Sequence, residues 1–138
     1  MKEGMVGVLL AALLVLTSCG GGKYADVKSA MDGQMKAMDR FSEKIDKAEN
    51  SEQVVAALDE FGAKMEKFAR EFPKLQEKYP ELGDKQNPPE ELKETMNQME
   101  GVAQRFMGAM MKVAQQYGED AQVQEKLQQM QGMMQTGK

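Results

Sequence analysis

The sequence predicts an all-α protein: an antiparallel four-helix bundle of three long helices and a short fourth. Three observations predict it. From Tyr24 onward the apolar residues recur at three- and four-residue spacing, which puts them on one stripe of a helix. No window shows the strict apolar–polar alternation of a half-buried strand. The breaks between stripes carry residues that start and stop helices.

The first stripe is Tyr24, Val27, Met31, Gln34/Met35, Met38, Phe41, Ile45 and Ala48. Asn50 then offers a side-chain oxygen to cap the next helix, with Gln53 placed three residues on to reach back. The second stripe is Val54, Leu58, Phe61, Met65, Phe68, Phe72, Leu75 and Tyr79. Pro73 falls inside it without shifting its phase, which predicts a kink, not a break. Asn87-Pro88-Pro89-Glu90 opens the third helix, because the first turn leaves the proline's missing amide unpaired anyway. Its stripe is Leu92, Met96, Met99, Ala103, Phe106, Met110, Val113 and Tyr117, about 45 Å of helix. Gly83 and Gly118 follow the second and third stripes, where a left-handed residue is easiest. Val123, Leu127, Met130 and Met134 make the short fourth stripe, and the Gln-rich segment 128–135 is expected to fray. Phe61, Phe68, Phe72 and Phe106 are the expected large core residues. Outward pairs such as Glu43/Lys47, Glu60/Lys64 and Glu66/Arg70 read as a solvated face. Short links predict antiparallel neighbours, with the longest connection around residues 83–87.

Residues 1–18 have the three-part plan of a secretory signal: Lys2, an apolar run from Met5 to Leu16, then small residues. The run is shorter than the roughly 20 residues of a comfortable span. Leu16-Thr17-Ser18-Cys19 resembles the bacterial lipobox. That resemblance implies cleavage before Cys19, a diacylglycerol thioether on its sulfur, and a lipid-anchored protein of the cell envelope. Residues 19–23 are then the lipidated cysteine and a Gly20-Gly21-Gly22 tether reaching on the order of 10 Å. By resemblance to enterobacterial sorting, Gly at position 20 favours the outer membrane, facing the periplasm. Residues 24–138 form the bundle domain, long enough to bury a core without disulfides or metals.

The net charge of −4, with no basic cluster, argues against nucleic acid, whose binding requires neutralised phosphates. The chain has no histidine and one cysteine. Ser-His and Cys-His pairs, imidazole-held zinc and the Glu-x-x-His of di-iron bundles are therefore closed to it. The acids lie on solvated faces, and no catalytic set emerges.

Of 14 methionines, all but Met1 and Met5 lie beyond Cys19, and most sit on the stripes, where methionine fills irregular core gaps. Met-x-x-Met recurs at Met35/Met38, Met96/Met99, Met107/Met110 and Met130/Met133. Two thioethers one turn apart can share a soft ion such as Cu(I). Met107, Met111 and Met133 fall off the main seam, which core packing does not require.

The segment Lys44-Ile45-Asp46-Lys47-Ala48-Glu49-Asn50-Ser51-Glu52-Gln53-Val54 resembles the first interhelical link of the periplasmic cytochrome b-562 family. The likeness continues at Ala57-Leu58, at Gly83-Asp84-Lys85 and at Pro89. The resemblance implies the four-helix fold and puts the family's methionine haem ligand on Met35. The family's second ligand is a histidine, and the matching region is Gln135 beside Met133 and Met134. Any haem b would thus need Met35 with a substitute such as Met134.

These readings converge on a non-enzymatic, envelope-anchored lipoprotein with a structural or binding role, no cofactor, and a membrane attachment at Cys19. Two alternatives stand beside it. One is a haem b or Cu(I) carrier using methionine ligands. The other is a chaperone-like accessory protein that meets a protein partner through an adaptable Met-rich surface.

Overall fold

In the computed structural model, residues 22–136 are described. Helix α1 spans Ala25–Lys47 and buries Val27, Met35, Met38, Phe41 and Ile45. Its entrance is turned by Gly22, whose φ of 74° lies in the left-handed region that glycine adopts freely. After Ala48–Asn50, helix α2 spans Ser51–Lys78. Its start is fixed reciprocally: Asn50 Oδ1 accepts from the Gln53 amide at 3.0 Å, and Gln53 Oε1 accepts from the Glu49 amide at 2.8 Å. Two otherwise unpaired amides are satisfied by two side chains. The helix runs through Pro73 without a break, in agreement with the unbroken phase of its stripe.

Residues 79–89 make the longest link and contain a single 3-10 turn, Pro80–Gly83. Helix α3 follows from Glu90 to Tyr117, with Pro89 at its N-cap. Helix α4 spans Ala121–Thr136, and Asp120 accepts from the amides of Gln122 and Val123 at its start. The Gln-rich segment is helical, where fraying was expected. Met130 is buried against the core, and the Met133 methyl lies 3.5 Å from where a Cβ on Gly62 would sit. Those contacts pin the helix to α2. Gly83 and Gly118 do not take the left-handed conformation expected of them; Gly118 keeps a right-handed φ of −64°. Glycine is required at 118 because a Cβ there would collide with the Ala114 carbonyl oxygen.

Consecutive helices run antiparallel, so the fold is a four-helix bundle. The closest lateral neighbours of α1 are α2 and α3, and those of α2 are α1 and α4. Arg105 meets Asp39 at 2.9 Å, and Lys112 meets Asp46 at 3.8 Å, seven residues further along both helices. Helices α1 and α3 therefore lie parallel and in step. Lys126 meets Asp59 at 2.7 Å and Met133 approaches Gly62, further along both helices, so α4 lies parallel to α2. The link of residues 79–89 thus carries the chain across the bundle instead of to an adjacent helix.

Phe41, Phe61 and Phe106 form an aromatic triangle with centroids 4.7–5.4 Å apart, one ring from each of α1, α2 and α3. Around it pack Ile45, Val54, Leu58, Val113 and Val123, all essentially without exposure. A second, smaller cluster (Tyr24, Val27, Tyr79 and Leu92) closes the end of the bundle where the chain enters α1. The expectation that Phe68 and Phe72 are core residues is corrected: both are half-buried and stack on each other at 5.3 Å. Helix α4 has 16 residues against the 28 of α2 and, lying parallel to it, ends close to the level of Met65. The last turns of α2 have no α4 to cover them. Met96, placed on the third stripe, is likewise 40% exposed.

Candidate functional site

A groove runs between α1 and α2, with a volume near 640 Å³. On α1 its wall is a row of small residues, Ala30, Gly33 and Ala37, spaced to stay on one flank of the helix. On α2 the wall is Phe61, Met65, Phe68 and Leu75. Small side chains facing large ones leave a trough. The correction at Phe68 thus has a functional side, because the ring lines this groove instead of filling the core.

Cations stand along both rims: Lys36, Arg40 and Lys44 on α1, and Lys64, Lys67 and Lys74 on α2. Acids there are fewer, namely Asp26, Glu60 and Glu71. Glu60 is taken up at one end, accepting from Lys44 and pairing with Arg40 at 2.9 Å. The Lys44 hydrogen bond, joined by the charge of Arg40, holds the Glu60 carboxyl below its ordinary range. Glu60 stands four residues before Lys64 on its own helix, yet it bridges across to α1. The spacing of Arg40 and Lys44, one turn apart, was the available signal. Lys36 is engaged by Asp32 at 2.8 Å. Lys64, Lys67 and Lys74 make no ion pair within 4.0 Å among the described residues.

At the other end of the groove, beside Asp26 and Leu75, a polar clasp fastens the entrance of α1. Tyr24 donates to Glu81 Oε1 at 2.6 Å, and Lys23 reaches the same oxygen at 2.9 Å. Lys78 meets Asp26 at 2.7 Å. The Tyr79 hydroxyl lies 2.9 Å from Asp26 Oδ1 and 2.7 Å from the Lys23 carbonyl. The Tyr24 hydrogen bond, then that of Lys23, lowers the Glu81 carboxyl from 4.5 to about 2. Asp26 is lowered by its bonds to Lys78 and Tyr79 against the cost of desolvation.

Cys19, with the whole of residues 1–18, lies outside the described residues. Met35 is buried, 7% exposed, on the α3 side of α1, beside Val102 and below an open concavity bordered by Asp32, Asp39 and Arg105. Met134 belongs to the last turns of α4, and its side chain lies outside what is described. Helix α4 packs on α2, so α1 and α4 are not among the closely packed pairs. The off-seam methionines are exposed as their positions implied: Met107 64%, Met111 61% and Met133 38%. Among the described residues no group of three or more His, Cys, Asp or Glu side chains could hold a metal ion, and no helix is long and apolar enough to cross a membrane. No protein-family model matches the chain, and no curated protein or solved structure shows significant similarity to it.

The donor set does not suit a haem of the b-562 type. Such a haem takes one thioether and one imidazole, and the chain contains no imidazole. Met35 is enclosed with Met38, Phe41 and Val102 in a packed cluster. Gln135, at the position where the resemblance puts the second ligand, is exposed.

Proposed function

We propose that this protein is a non-catalytic lipoprotein of the cell envelope, anchored by lipid on Cys19, that presents the helical bundle as a binding module. The observation that carries the binding role is the α1/α2 groove, a preformed trough within the 300–1,000 Å³ range of small-ligand sites. Leu16-Thr17-Ser18-Cys19 after an apolar run supports the anchor. The groove's Asp26–Leu75 end lies at the same end of the bundle as Gly22, which leads back through the glycine tether to Cys19. In this reading the groove opens toward the membrane that holds the protein, with the outer membrane favoured by Gly20.

Intact mass of the membrane-extracted protein tests the anchor. The expected species begins at Cys19 and carries acyl mass, and Cys19→Ala abolishes both. An unmodified mature chain, soluble after cell disruption, overturns the reading.

A second reading rests on Met107 and Met111, which stand one turn apart on the outer face of α3 and are more than half exposed. Such a face suits an accessory protein that docks adaptably on a partner, or a soft Cu(I) ion. Metal analysis of protein isolated from its own host separates the two uses of that face.

A further inference from the structure

The shape of the groove and the charge of its rims together define a ligand. Its lining runs from Asp26 to Lys44 on α1 and from Ala57 to Leu75 on the antiparallel α2. At 1.5 Å per residue each wall is about 27 Å long. Spread over that length, 640 Å³ corresponds to a section of about 24 Å², room for one extended chain. An α-helix with its side chains is about 10–12 Å across and would ride above such a trough. An extended peptide would bring amides and carbonyls that need partners. The lining offers them no strand edge, since both walls are helices whose backbone groups are already bonded. A hydrocarbon chain has no such need. Ala30, Gly33 and Ala37 on one side and Phe61, Met65 and Phe68 on the other supply apolar contact along its length.

The rims then select the head group. Around the end near Phe41, Arg40, Lys44 and Lys64 stand against the single carboxylate of Glu60, so that end keeps a net positive charge. At the other end Lys74 stands with Asp26 and Glu71, and Lys67 lies midway along the α2 wall one turn before Glu71, so the charges there balance. We propose that the α1/α2 groove binds a single-chain anionic amphiphile, with its acyl chain between the Ala30–Gly33–Ala37 row and Met65, Phe68 and Leu75 and its acidic head against Arg40, Lys44 and Lys64. The proposal rests on the reading of the groove as the binding site of a membrane-anchored module. A carboxylate and a phosphate head satisfy the same lysines, and the test distinguishes them.

The full chain with Cys19→Ser, which keeps attached lipid out of the measurement, is titrated with oleate below its micellar concentration. Parallel titrations use a lysophosphatidylglycerol and an alkyltrimethylammonium of equal chain length. One-to-one binding of at least one anionic probe is expected, tighter than the cationic probe by about tenfold or more, and the tighter anionic probe identifies the head. Gly33→Leu is the groove-filling variant. A Cβ at Gly33 meets nothing within 4 Å, so leucine enters the trough without disturbing the helix. It should weaken binding at least about tenfold with helical content and melting temperature maintained. Lys44→Glu combined with Lys64→Glu should remove the preference for anionic probes. Equal affinity for the cationic probe, or undiminished binding to Gly33→Leu, overturns the proposal. So does a dimer that Gly33→Leu dissociates while no probe binds, which would assign the trough to a second copy. If no amphiphile binds while the native protein still carries lipid on Cys19, the ligand class is wrong and the lipoprotein reading stands.

Discussion

The Tyr24 hydroxyl donates to Glu81 across the base of the bundle at 2.6 Å, joining the entrance of α1 to the 3-10 turn that follows α2. Tyr24 itself is 5% exposed. The bond therefore spans from a buried ring to a carboxylate at the surface, and Lys23 holds that carboxylate from its other side.

Acid should loosen this end of the protein first. Glu81 titrates at about 2 in the folded chain against 4.5 ordinarily, so the folded state favours its charged form. Its contribution is present in full above pH 4.5 and is lost as pH falls from there toward 2. The depressed carboxyl of Asp26, bonded to Lys78, acts in the same sense. Melting temperature followed by circular dichroism should decline over that window, and Glu81→Gln should make the decline shallower. An unchanged slope in Glu81→Gln would assign the acid sensitivity elsewhere.

Phenylalanines that look alike in sequence should differ several-fold in the cost of truncation. Phe41 is 2% exposed and touches two other rings. Phe41→Ala should cost about 3–5 kcal/mol in urea unfolding. Phe72 is half-buried and stacked mainly on Phe68, so Phe72→Ala should cost about 1 kcal/mol. Equal losses would mean that α4 reaches further along α2 than its helix extends.

Asn50→Ala should cost about 1 kcal/mol, the usual effect of losing an N-cap oxygen. Gln53→Ala should cost less, because the Glu49 amide it releases can turn to water. Measuring both, and then the double variant, shows whether the two bonds act as one unit. Reciprocal capping predicts that the double loss falls short of the sum.

Protein isolated from its native host should be colourless and should not bind haem tightly on titration. Met35 is a packed core thioether, enclosed with Met38, in a chain without histidine. A low-spin b-type spectrum that disappears in Met35→Ala would restore the cytochrome reading with an unusual second ligand.

What could be read from sequence was what depends on neighbours in the chain. The helical period of the four segments, the Asn50–Gln53 cap and the passage of α2 through Pro73 are set by residues within a turn or two of each other. The buried face of α3, by contrast, is Leu92, Val102, Ala109 and Val113, of which the third stripe held only Leu92 and Val113. The exposure of Met107 and Met111 followed from their phase relative to the stripe. What could not be read depends on which helix lies beside which. Phe68 and Phe72 share the phase of Phe61, and periodicity does not say that α4 ends before reaching them. Gly33 and Ala37 look like ordinary solvated positions until α2 stands opposite them. Glu60 sits four residues before Lys64, yet Arg40 and Lys44 come closer from another helix. The parallel pairing of α1 with α3 has the same origin, since it follows from how the 79–89 link crosses the bundle.

The clasp at the base has a mechanical consequence. In a chain anchored through Cys19, as proposed above, a pull would enter the domain at Gly22 and Lys23, directly before the Tyr24–Glu81 and Asp26–Lys78 bonds. Those bonds pass the load from the first turn of α1 to the end of α2, so two helices share it. Because α1 would have to slide lengthwise past both α2 and α3, the Arg105–Asp39 and Lys112–Asp46 bridges resist together instead of parting one after another. A pull on the entrance of α1 therefore meets a sheared joint instead of a row of bonds that open in turn.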